Sequence, residues 1–241
     1  MMRFSLILIW LGYCSNVWAI GLDISPVHIR LSRSHKIETV QLINLSHQRS
    51  SLFQISLYRW RQHGNHNFQE KTQALMVTPP MVDLSPNQRQ IIRVGVLRFL
   101  PLDHEVAYRL VLRQIPMHHQ EKGSGLRMLL ATKLPIFVEP CPLPKPTFHH
   151  LTWHLHFNNK HLVLTVENHN KKHIQVNEVD LLNKQDQHIR FKIPTFVYVL
   201  AGQSHTWRIS DKQFDIAADQ WVLRAKANIG HEKMDLSLQK I

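Results

Sequence analysis

The sequence predicts an all-β protein of two domains, the first an immunoglobulin-like β-sandwich and the second a further β-domain. Apolar residues recur in short alternating runs with the period of a strand, and no stretch sustains a helical period. Turn-forming segments rich in Pro, Asn, Gly and Ser interrupt those runs about every 8 to 12 residues, the spacing of a sandwich. A proline-dense stretch, EPCPLPKP, carries four prolines in eight residues from Glu139 to Pro146 and splits the series in two. Such a composition is stiff and extended, as a connector between domains is.

The first element is a leader. In MMRFSLILIWLGYCSNVWA, Arg3 precedes an apolar run from Phe4 to Leu11, and Val17 and Ala19 have the spacing of a cleavage site. This is the pattern of a secretory signal peptide over residues 1–19, cut after Ala19. The run falls short of the roughly 20 residues a membrane-spanning helix needs, so no membrane span is expected after cleavage. Tyr13 stands before Cys14 where a lipoprotein signal has a small residue, so no lipid anchor is expected either. Of the two cysteines, Cys14 leaves with the leader and Cys141 stays, so the mature chain forms no internal disulfide and depends on its core.

The formal charge of +12 becomes +11 without Arg3, and 18 histidines add to it in mild acid. A basic balance suits nucleic acid or an anionic surface. Here the cations are scattered, with no basic run and no aromatic–basic motif, and export removes the chain from nucleic acid. A solvated basic face, or a protein partner that presents carboxylates, fits better.

Residues 20–139 are expected to form the first domain. Its strands are LDISPVHIRL, IETVQLINLS, SLFQISLYRW, ALMVTPPMVDL, RQIIRVGVL, EVAYRLVLRQI and a last run from Leu126 to Pro140, LRMLLATKLPIFVEP. The turns between them are SRSHK, SHQRS, QHGNHN, SPNQ, RFLPLDH and HHQEKGSG. The last run alternates apolar residues at Leu126, Met128, Leu130, Leu134, Ile136 and Val138. Pro135 cannot donate to a ladder and predicts an edge strand, and a long apolar edge invites aggregation unless something covers it. After the linker, 140–146, a second domain over 147–241 is expected from LTWHLHF, HLVLTVEN, IQVNEVDLL, TFVYVLA, HTWRIS, WVLRAKANI and MDLSLQ.

Catalytic signatures are missing. There is no nucleophile elbow, no H-E-x-x-H, no paired-cysteine zinc spacing and, with eight glycines in all, no phosphate-cradling loop. His154 and His156 share one strand face but lack a marked third ligand, and His118 and His119 lie in a loop, so neither a metal nor a cofactor is expected. Cys141 has Lys145 near it in sequence but no base, and is assigned no role.

Together, ISPVHIRLS, QLINLS, Trp60, LMVTPPMVDLSPNQRQIIRVG, EVAYRLVLRQIP and LPIFVEP, in that order and spacing, resemble the PapD-like periplasmic pilus chaperones. The resemblance is nearest to the archaic, spore-coat-protein-related branch, in which PP precedes a PxxRQxIRV-like strand and LPxFxxP follows. It implies a non-enzymatic periplasmic chaperone with two immunoglobulin-like β-sandwich domains set at an angle. Such a chaperone lends its seventh strand to pilus or fimbrial subunits that lack one, and passes them to an outer-membrane usher. That would explain the apolar edge, because strand addition takes affinity from main-chain bonds and specificity from alternate side chains. The family's donor row maps onto Leu126, Met128 and Leu130. Its anchor for the subunit's C-terminal carboxylate maps onto His28 and Pro135, so the cations beside them, Arg30 and Lys133, are the expected anchor with His28; Arg93 and Arg109 are further candidates. The rival readings are a secreted adhesin or structural subunit, which needs a free donor extension, and an exported ligand-binding module using the histidines. IGLDISPVHIRL leaves the former little room, entering a strand at once.

Overall fold

The computed structural model describes residues 21–101, 103–116, 128–158, 161–183, 188–191 and 196–210, together with 220–240. The leader, Leu126 and the histidines at 118 and 119 lie outside the described residues. The chain is β throughout apart from one 3-10 turn, Phe148–His150.

The first half contributes ten strands: β1 (Leu22–Ser25), β2 (Ile29–Ser32), β3 (Ile37–Asn44), β4 (Ser51–His63), β5 (His66–Lys71), β6 (Leu75–Thr78), β7 (Met81–Leu84), β8 (Arg89–Val96), β9 (Val106–Ile115) and β10 (Ala131–Glu139). One sheet runs β1-β3-β8-β6, and the facing sheet runs β2-β10-β9-β4-β5 with β7 also on β4. Inward-pointing residues of both sheets, among them Leu42, Ile92, Val94, Phe53, Leu110, Leu112 and Ile136, make a closed apolar core. Strict alternation puts them there, since each buries one face of a pleat.

Two runs that the sequence presents as single strands are each divided. LDISPVHIRL becomes β1 on one sheet and β2 on the other, and ALMVTPPMVDL becomes β6 and β7 in the same way. Proline explains both breaks: Pro26, Pro79 and Pro80 have no N–H to give a ladder, and the chain crosses between sheets at those points. The expected turn QHGNHN is instead absorbed into a long hairpin, in which β4 and β5 pair as far as His63 and His66. Gly64, at φ +53°, turns it, a left-handed conformation that glycine adopts without strain.

The second half has β11 (Leu151–Asn158), β12 (His161–Asn168), β13 (Ile174–Asn183), β14 (His188–Phe191), β15 (Val197–Val199), β16 (Ser204–Ser210), β17 (Gln220–Ala227) and β18 (Gly230–Lys240). They follow the order β14-β13-β17-β18-β11-β12-β16, with β15 on β13. The two layers join where β18 runs parallel to β11, and they enclose a separate core that includes Leu155, Leu164, Val166, Val176, Leu181 and Trp207. Two immunoglobulin-like sandwiches thus follow one another along the chain.

The halves repeat one polar device. The buried Asn44 gives its amide to the carbonyls of Arg49, Leu84 and Ser85 while its oxygen accepts from the Ser46 N–H. Asn168 does the same with Lys172, Val199, Leu200 and the Asn170 N–H. An unpaired buried carbonyl costs about 1–3 kcal/mol, so each asparagine fixes the loops where its strand ends.

Candidate functional site

Strand β10 changes character at Pro135. From Ile136 to Glu139 it pairs in parallel with β2 on one side, and from Ala131 to Val138 it pairs antiparallel with β9 on the other. Ile136, Phe137 and Val138 are therefore central in the sheet, whereas before Ile136 the side away from β9 has no partner strand among the described residues. The edge predicted from Pro135 is thus half an edge: parallel pairing begins one residue after the proline that cannot donate to it.

The even row behaves as one face. Leu134, Ile136 and Val138 are buried in the first core, and Leu130 packs partly against it. Gln114 holds the start of the strand: its N–H donates to the Leu130 carbonyl at 2.8 Å, and its side-chain oxygen accepts from the Leu130 N–H at 3.1 Å. Met128 and Leu129, just upstream, are 75% and 45% exposed. Of the expected donor row, Met128 is thus free, Leu130 is shared with its own domain, and Leu126 lies outside the described residues.

The odd row, Lys133, Pro135, Phe137 and Glu139, faces away from that core. Register places Arg109 of β9 opposite Pro135 and Arg30 of β2 opposite Phe137, so both cations share this face. The Arg109 guanidinium lies 3.9 Å over the ring of Trp60, which is buried and donates its indole N–H to Asn67 at 2.7 Å. Burial pulls the Arg109 pKa below its usual value. No side-chain hydrogen bond or ion pair joins Arg109, Arg30 or Lys133 to another described residue.

The second domain closes one end of this face. Trp60, Ala107 and Phe137 form a small core with Leu200 and Tyr198, and the His173 ring stacks on Phe137 at 3.6 Å. His173 is itself held by Glu105, whose carboxylate accepts from the His173 N–H at 3.0 Å and lies 2.7 Å from Nδ1, all of it buried. Its sequence neighbours bind the same way, Lys171 to Asp103 at 2.9 Å and Lys172 to Glu139 at 2.8 Å. Gln62 completes the joint, donating to the Tyr198 carbonyl and accepting from the Leu200 N–H.

The expected anchor residues separate on this geometry. His28 is 3.0 Å from the Tyr198 hydroxyl, and burial, then Arg30 and His173, lower its pKa. These neighbours disfavour its charged form, so it is a weaker cation than either arginine. Arg30 and Lys133 share the face of Pro135 and Phe137. Arg93 lies on β8 in the other sheet, paired with Thr39 and Thr78. The sequence marked Arg109 only as one cation of several, because its place opposite Pro135 depends on the β9–β10 register.

Other sequence candidates lie elsewhere. His154 faces Glu167 at 3.9 Å on an exposed strand, and no group of three or more metal-ligating side chains assembles among the described residues. Cys141 is a half-exposed free thiol after β10. No described helix is long and apolar enough to cross a membrane.

A family model for the N-terminal domain of PapD, a pili and flagellar-assembly chaperone, matches residues 21–144. The chain belongs to this family of pilus chaperones. Its members are not enzymes, in keeping with a sequence that lacks catalytic signatures. The fold matches that of solved structures over nearly its whole length. A chain of the CsuC–CsuE chaperone–tip adhesion subunit pre-assembly complex from the archaic Csu pili of Acinetobacter baumannii is 17% identical with a TM-score of 0.66, and the match covers 92% of this chain and 99% of that one. The complex of SafA pilin with the SafB chaperone from Salmonella enterica gives 14%, 0.61, 91% and 97% in the same order. The CupB2 chaperone of Pseudomonas aeruginosa gives 18%, 0.57, 90% and 100%. No curated protein matches the sequence.

Proposed function

We propose that this pilus chaperone works in the periplasm after removal of residues 1–19. There it would capture exported pilus or fimbrial subunits that lack a final strand, complete them by adding its own, and deliver them to an outer-membrane usher. The observation that carries the reading is the half-edge of β10, a strand fixed at its far end, with one side unpaired among the described residues and the exposed Met128 and Leu129 just before it. An incoming strand can take the free main-chain groups there while its domain buries the upstream apolar residues. Burying one such side chain contributes roughly 1.5 to 3 kcal/mol before ordering is counted. Leu126, Met128 and Leu130 are the proposed donor row, with Leu130 moving off its own core to serve.

The subunit's C-terminal carboxylate would lie on the odd face of β10, with Arg30, Lys133 and His28 as the group first expected to hold it. The working units are a first domain over 20–139, a linker over 140–146 and a second domain over 147–241. The archaic branch suits the PP and LPIFVEP motifs, and no cofactor is needed. The test is co-export with a candidate pilin subunit that lacks its last strand, followed by pull-down. Wild-type protein should yield a 1:1 complex, and Met128→Arg should fold normally yet capture nothing. If neither captures a subunit, or both do equally, strand addition at this edge is wrong.

A further inference from the structure

We infer that the outward face of the β1-β3-β8-β6 sheet docks on an anionic phospholipid bilayer, with Ile37, Met76 and Leu97 entering the interface and Arg89 and Arg93 holding phosphates. This is independent of how β10 is used, since that strand belongs to the opposite layer of the sandwich.

Alternation ordinarily leaves the outer row of such a sheet polar. Here Ile37, Met76, Ile91 and Leu97 are between 45% and 62% exposed. Register brings two of them together, because Ile37 on β3 and Met76 on β6 both stand opposite Gly95 of β8. A Cβ at Gly95 would lie 3.4 Å from Ile37 Cγ1 and 3.6 Å from Met76 Cγ, so the two side chains lean together over a residue that has none. Leu97, whose N–H bonds the Ala74 carbonyl as the ladder ends, extends this apolar ridge.

Charge on the face has one sign. The outward row of β8 reads Arg89, Ile91, Arg93, with the two arginine backbones about 7 Å apart. Arg93 stands between Thr39 and Thr78. Among the described residues, the outward rows of β3, β6 and β8 hold no acidic side chain. Asp23 of β1 is two strands away from Arg89. Neither arginine has a side-chain hydrogen bond or ion pair with a described residue. Their donors are open to an anion, and a guanidinium matches phosphate oxygens.

The mixture selects the partner. A protein interface gathers its apolar residues in a core depleted of charge, with a polar rim. On this sheet cations and apolar side chains instead alternate along one strand of an open layer. A bilayer surface offers phosphates and the acyl boundary side by side, and attachment there grows with the apolar area inserted and with each cation at the surface. The formal net charge of +12 adds a general attraction of the same sign.

The test is flotation of the protein, purified after export, with vesicles of phosphatidylethanolamine and phosphatidylglycerol and with vesicles of phosphatidylcholine alone. At about 0.15 M salt the screening length is about 8 Å, less than the roughly 10 Å between the two sheets, so the cations of each layer act separately. Wild type should float with the anionic vesicles and stay in solution with the others. Arg89→Glu with Arg93→Glu should lower binding about 25-fold or more, at about fivefold for each cation lost from the surface. Ile37→Ser with Met76→Ser should lower it about tenfold through lost apolar insertion. Arg113→Glu with Lys71→Glu, the same charge change at exposed positions of the opposite sheet, should lower it less than about threefold. Equal urea midpoints check that the variants fold, and if the glutamate pair does not, Arg89→Gln with Arg93→Gln serves, with a smaller loss. The assignment fails if the two reversed pairs lose the same factor or if the serine pair binds like wild type, since net charge alone would then draw the protein to the bilayer. It fails equally if wild type floats with both kinds of vesicle alike, or with neither; in the last case the face suits an acidic protein surface instead.

Discussion

Between Ile136 and Val138, β10 has a strand on each side, its own core beneath and, at Phe137, the second domain above. Between Ala131 and Pro135 it has one neighbouring strand among the described residues, and just before it Met128 and Leu129 project into solvent. The residues are equally apolar in both stretches. What differs is how many surfaces each finds, and that separates a stretch holding the molecule together from one that can be offered elsewhere. An apolar edge is a hazard for most proteins; here it is short, and the firmly held stretch that follows keeps it in place.

Substitutions at four positions test this contrast, in falling order of effect. Phe137→Ala removes the ring between Trp60, Tyr198 and His173, and should destabilise the protein by about 3–5 kcal/mol in urea unfolding. A loss below about 1 kcal/mol would show that the far end of β10 is not the fixed one. Glu105→Ala leaves His173 and its N–H without their acceptor in a buried joint, for about 3 kcal/mol, while Glu105→Gln, which keeps an acceptor oxygen, should cost much less. Leu130→Ala should cost about 1 kcal/mol, intermediate because the side chain is only partly committed to the core. Met128→Arg should shift stability by less than about 0.5 kcal/mol while abolishing subunit capture. Should Met128→Arg unfold the protein, the upstream stretch belongs to the fold and the contrast collapses.

A fifth expectation separates the two domains by pH. Burial depresses the His205 pKa to about 4, from an ordinary 6.5. Its neutral form is favoured in the fold, so the unfolded chain binds the extra proton. The stability this contributes is complete above pH 6.5 and is lost as pH falls toward 4. Urea midpoints measured across that window should fall less steeply for His205→Phe than for wild type; identical slopes would mean the ring is not withdrawn from water.

Much of this was legible in the sequence. Period-two alternation in IETVQLIN and EVAYRLVLRQI placed β3 and β9, and the inward rows of both follow from it. The same alternation put Leu134, Ile136 and Val138 on one face. It did not reveal that LDISPVHIRL and ALMVTPPMVDL each divide between two sheets, because a proline that ends one ladder does not say where the next begins. It took β10 for an edge throughout, since the strand that covers its second half, β2, lies over a hundred residues earlier. For the site, Arg30 and Lys133 were found by their distance from motif positions. Arg109 stayed one candidate among several because only pairing puts it opposite Pro135.

By itself the sequence determined what is local: which residues alternate, where proline interrupts a ladder, and that strands rather than helices form. Those properties depend on side-chain period and on which N–H groups exist, and both are carried by neighbouring residues. Tertiary structure alone decided what each face meets: that Phe137 stacks under His173, that Glu105 is buried against the second domain, and that the Arg109 guanidinium rests on Trp60. Register and domain docking are sums over residues far apart in the chain. A side chain's partner is therefore fixed only when the whole fold has closed around it.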